Sequence, residues 1–171
     1  MGERGSSFKS KSNVKLVDKI DIKDKKIVNS YCEQTLNYLS SITDKEECVI
    51  ITKSGKVYHF KGDSKYDVAV PDKYNAMAKY DLHSHPHDAI RSFSKQDISN
   101  WRKGVTYFVT DRKYDYRAYV KEDIPYNPHL LIEAYSYAKE IGIKTDEEQD
   151  LQCLYLQSKG YIDYEKMVRH S

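Results

Sequence analysis

The chain reads as an α/β protein, a mixed β-sheet flanked by helices. Three observations predict this. Short β-branched runs such as Cys48-Val-Ile-Ile-Thr52 and Val105-Thr-Tyr-Phe-Val-Thr110 alternate with stretches of helical periodicity. Paired apolar runs are separated by turn-forming steps, as in hairpins. The 171 residues fit one compact domain that can bury a core without disulfide staples.

Taken in order, residues 1–15 are rich in Gly, Ser, Lys and Arg with little to bury, and read as a disordered basic tail. Ile27, Tyr31, Leu36, Leu39 and Ile42 recur at helical spacing, which predicts a helix over 25–41. The runs 48–52 and 57–60 flank Ser54-Gly55 and predict a hairpin, with Gly55 supplying the positive φ of its turn. Residues 66–70 read as a further extended piece, ended by Pro71. Residues 78–83 read as a strand running into His83-Ser-His-Pro86. Ser94 opens a helix through Trp101, a core residue, and Gly104 follows. Residues 105–110 and 114–120 form a second strand pair about a turn at 111–113. Leu130, Leu131, Ala134, Ala138 and Ile141 mark a helix stopped by Gly142. Thr145-Asp-Glu-Glu148 is a capping box for another, ending near Gly160. The expected organisation is a tail (1–15), a main domain (16–124) and a helical extension packed on it (125–171).

Lys and Arg number 28 against 26 Asp and Glu, a formal charge of +2. A dedicated nucleic-acid binder needs a concentrated basic face, so no nucleic-acid partner is expected. The three cysteines, Cys32, Cys48 and Cys153, form no C-x-x-C pair, which argues against a cysteine zinc knuckle or redox pair. That count suits a reducing compartment, and with no apolar run long enough to span a bilayer a cytoplasmic location is expected. Sixteen tyrosines supply core and interface material without indicating an activity.

Chemistry concentrates in His83-Ser84-His85-Pro86. Residues two apart on an extended segment point to the same side, so both imidazoles can face one metal ion. A catalytic zinc takes three protein ligands and keeps one position for water. Asp97, in Ser94-Lys-Gln-Asp97 at a predicted helix start, is the candidate third ligand. Ser94 with an acid three residues later also resembles a helix cap, and capping would orient the same pair. A zinc centre with one carboxylate ligand acidifies the water it holds. A general base must then take the proton, and Glu46 or Glu47 at the opening of the first hairpin can supply it. His59, His129 and His170 have no partners at ligand spacing and read as structural or surface residues.

Glu46, His83-Ser-His-Pro86 and Ser94-x-x-Asp97 together resemble the signature of the JAMM (MPN-plus, JAB) zinc metalloproteases. The string from Glu46 to Tyr58 is also similar to the opening hairpin of single-domain bacterial and phage members. The resemblance spans about residues 44–120. It implies a curved sheet with helices on its faces, similar to the cytidine deaminase architecture. It implies zinc on His83, His85 and Asp97, with a zinc-bound water activated by Glu46 as general acid and base. It gives Ser94 the stabilisation of the tetrahedral intermediate, an oxyanion role worth about 3 kcal/mol. Relatives hydrolyse amide and isopeptide bonds, so a protein or peptide substrate is implied, ubiquitin-like conjugates among them. The spacing departs in one place: seven residues separate Pro86 from Ser94 where the family usually has six. Asp88 and His87 are therefore alternative ligands.

Two other readings share these residues. Asp81-Leu-His-Ser-His85 is similar to the D-x-H-x-H that ends the first strand of amidohydrolase and phosphoesterase barrels. Those barrels need some 200 residues beyond that strand, and only 86–171 follow here. The same fold without metal, serving as a binding or assembly module, is the other alternative.

Overall fold

The computed structural model describes residues 14–42, 44–62, 68–85, 92–125, 127–141 and 147–169. The basic tail up to residue 13, the alternative ligands His87 and Asp88, Gly142, Thr145 and His170 lie outside the described residues. Among those described, the architecture is α/β, with a seven-stranded sheet and five helices. The chain divides into two compact units, Met1–Pro86 and His87–Ser171.

The first unit holds β1 (Val14–Lys19), α1 (Lys25–Ser40), β2 (Glu47–Thr52), β3 (Lys56–Lys61), α2 (Asp72–Met77) and β4 (Ala78–Ser84). Its strands lie in the order β1-β3-β2-β4 with antiparallel ladders throughout. Asp24 starts α1 by accepting hydrogen bonds from the Lys26 and Ile27 N–H groups at 3.0 and 3.2 Å. The buried face of α1 is Val28, Cys32, Leu36 and Leu39. Ile27, expected on that face, is exposed, because the observed stripe runs one residue out of phase with it. All six residues of β2 are buried, as befits a strand paired on both edges. The β2–β3 turn requires Gly55. Its φ is +91°, and a Cβ there would stand 2.1 Å from the Ile20 carbonyl oxygen. Ile20 N–H in turn donates to the Gly55 carbonyl at 2.9 Å.

The strand β1 and the helix α2 were not expected, and β1 takes in Val14 and Lys15, which were assigned to the tail. β1 exposes nearly every side chain and α2 buries none, so neither has a hydrophobic period to read. Of residues 66–70, expected to be extended, 66 and 67 lie outside the described residues and 68–70 join no strand.

The second unit holds α3 (Lys95–Ser99), β5 (Thr106–Thr110), β6 (Tyr114–Val120), α4 (Pro128–Ile141), α5 (Glu148–Ser158) and β7 (Ile162–Val168). β5, β6 and β7 pair antiparallel in that order, with α4 and α5 between β6 and β7 in the chain. Asp111 builds the β5–β6 turn by accepting from the Lys113 and Tyr114 N–H groups, with Arg112 at a φ of +79°. Trp101 packs edge-on to Phe93 and stacks on Tyr107, in the core as expected. Leu130, Ala134 and Ala138 are the buried residues of α4, one turn apart, and α4 packs on α5. The C-terminal region is not purely helical. After Gly160 the chain turns back as β7, which pairs along the whole of β6.

Candidate metal centre

His83 is the penultimate residue of β4 and His85 follows the strand, so pleating sends both side chains the same way. Their Nε2 atoms stand 3.2 Å apart, and both residues are buried. Two imidazoles on one tetrahedral zinc, each at roughly 2.0–2.1 Å, would place their nitrogens about 3.3 Å apart. One ligand atom from each of His83, His85 and Asp97 lies within 4.8 Å of the others, and all three residues are buried. This group could hold a metal ion. Two imidazole nitrogens and a carboxylate form the donor set of an open zinc site, and imidazole with carboxylate also suits other first-row divalent metals.

The register of β4 on β2 sorts the neighbouring side chains. Cys48 is paired with His83 and Ile50 with Asp81, so these four share a face. Asp81 accordingly brings Oδ1 to 3.5 Å from Nδ1 of His83. Ser84 faces the other way, and its Oγ accepts the Glu47 N–H at 3.0 Å.

The same alternation separates the two candidate bases. The Gly62 N–H donates to the Glu46 carbonyl at 3.0 Å, which carries the β2–β3 ladder back to Glu46. Glu46 therefore falls on the face of Cys48 and His83, where it is buried. Glu47 falls on the opposite face. There its Oε1 is bound by His59 Nε2 at 2.6 Å and by the Tyr38 hydroxyl, which donates at 2.9 Å. Burial alone would raise the Glu47 pKa. The hydrogen bonds from His59 and Tyr38 outweigh burial and hold the carboxyl below its ordinary value. His59 is thus a structural partner, consistent with its lack of a ligand spacing. His129 is exposed.

Asp97 is the third residue of α3, and Ser94 is its N-cap. Ser94 Oγ accepts the Asp97 N–H at 3.0 Å, while Asp97 Oδ2 accepts the Ser94 N–H at 2.9 Å. The capping box thus holds the Asp97 carboxylate through Oδ2. Ser94 accepts through its oxygen, which leaves the hydroxyl proton able to serve as a donor.

No protein-family model, no curated protein and no solved structure matches this chain.

The sequence reading missed Asp81 as a partner of the site. Among the described residues no helix is long and apolar enough to cross a membrane.

Proposed function

We propose that this chain is a zinc-dependent hydrolase of amide or isopeptide bonds, of the JAMM type. One observation carries the reading: two buried imidazoles with converging Nε2 atoms, grouped with a buried carboxylate, at the positions of the H-x-H-P and S-x-x-D motif.

His83, His85 and Asp97 would hold the metal. When bound, zinc supplies a Lewis acid that acidifies water and polarises a carbonyl. The remaining work falls to the chain. Glu46, on the histidine face, takes a proton from the attacking water and passes it to the leaving amine. Ser94 offers its hydroxyl proton to the developing oxyanion, with Oγ already oriented by the capping box. Asp81 places a buried carboxylate beside the His83 ring, 3.5 Å from Nδ1. Glu47 is committed to His59 and Tyr38 and takes no part in proton transfer.

The substrate in this reading is a peptide or an isopeptide-linked protein, ubiquitin-like conjugates among them. The test is cleavage of fluorogenic peptide and isopeptide-linked substrates by zinc-loaded chain. Turnover that chelation abolishes and Glu46→Gln lowers by roughly 10²–10⁴ supports the reading. A fully zinc-loaded chain that cleaves no amide or isopeptide substrate contradicts it.

A further inference from the structure

The loop that presents Ser94 and Asp97 is held by a buried polar chain. Ser92 is fully buried and sits at a φ of +63°, a left-handed conformation that residues with a Cβ avoid. Its Oγ lies 2.7 Å from the Tyr164 hydroxyl on β7 and 3.8 Å from Cys153 Sγ on α5. The Tyr164 hydroxyl donates to Asp150 Oδ1 on α5 at 2.5 Å. That bond uses the only Tyr164 proton, so Ser92 must donate to the tyrosine oxygen, and the Cys153 thiol can donate to Ser92. The donors run in one direction, from Cys153 through Ser92 and Tyr164 to the Asp150 carboxylate. Burial raises the pKa of both Tyr164 and Cys153, so each keeps the proton it donates. The residue after Ser92 is Phe93, also fully buried, against Trp101 and Tyr164.

Helix α3 has only five residues. A helix this short has little stability of its own, so its direction depends on what anchors its first turn. A single residue, Phe93, separates Ser92 from the Ser94 cap, and it is pinned in the core. We propose that Ser92, Tyr164 and Asp150 form a positioning clamp through which α5 and β7 set the Ser94–Asp97 capping box, and with it the third metal ligand. These residues touch no substrate and act through Asp97. The proposal rests on the metal-centre reading for its consequence at the metal, and on the hydrogen-bonded chain alone for its effect on the capping box.

The test uses Tyr164→Phe in the full chain, which deletes the hydroxyl and keeps the ring against Phe93. In the metal-free protein, the Ser94 and Asp97 amides should exchange with solvent faster than in wild type while the β5 and β6 amides do not. Zinc affinity, measured by chelator competition, should fall roughly 10–100-fold. In an Asp97→Ala background the same substitution should leave the weaker remaining affinity unchanged. Equal loss of affinity in both backgrounds overturns the clamp, because it would mark general destabilisation. So does unchanged exchange at Ser94 and Asp97. If Tyr164→Phe does not fold, Ser92→Gly serves instead, since it deletes the other hydroxyl and relieves the backbone at that φ. A wild-type chain that takes no metal overturns the metal-centre reading and the clamp's role in affinity, and the exchange result then decides the structural half alone.

Discussion

Adjacent glutamates have opposite fates because a strand alternates. Glu46 shares the face of His83, whereas Glu47 turns to His59 and Tyr38. Glu46→Gln should keep the metal and lose turnover, whereas Glu47→Gln should keep turnover and lose stability, by about 1–2 kcal/mol. The sign of its pH dependence follows from the depressed carboxyl. A group whose pKa is lower folded than unfolded stabilises the fold above the unfolded value, here near 4.5. That contribution is lost as pH falls through the lower folded value. Urea unfolding at a series of pH values should therefore show wild type ahead of Glu47→Gln at neutral pH. The two should converge as pH falls below that lowered folded value. A gap that widens on acidification would contradict the pairing. His83→Ala should lower metal content sharply, as read by mass spectrometry, because it leaves two of the three ligands.

At the scale of the element, two short features carry more than their length suggests. The capping box of α3 serves as helix start and as ligand mount, so Ser94→Ala should act twice. It should cost about 1 kcal/mol in thermal unfolding. It should also lower turnover by roughly 10² while the metal is retained. The β2–β3 turn allows no side chain at residue 55. Gly55→Ala should cost about 1–3 kcal/mol, measured by denaturant unfolding, through its positive φ and the Ile20 carbonyl in the way. Elements with a buried face were legible in the sequence: α1, the β2–β3 and β5–β6 pairs, β4 and α4 each leave a hydrophobic period. β1 and α2 leave none, since they bury almost nothing. β7 buries only Ile162 and Tyr164 at its start and is defined by its pairing with β6, which no local pattern announces.

For the whole molecule, the candidate ligands were legible because their spacing is local: two histidines on one strand, a serine and an aspartate in one helical turn. Asp81 was missed as a supporting group because its role follows from which face of β4 meets β2. Ser92 and Tyr164 were missed because they lie 72 residues apart in the chain and meet only in the fold. The measurement that most directly tests the metal centre is metal content, by mass spectrometry, of chain purified without chelators or a histidine tag. The expected result is close to one zinc per chain, falling sharply in Asp97→Ala. Zinc retained in Asp97→Ala would move the third ligand to Asp88 or His87, and no zinc even after reconstitution would contradict the centre itself.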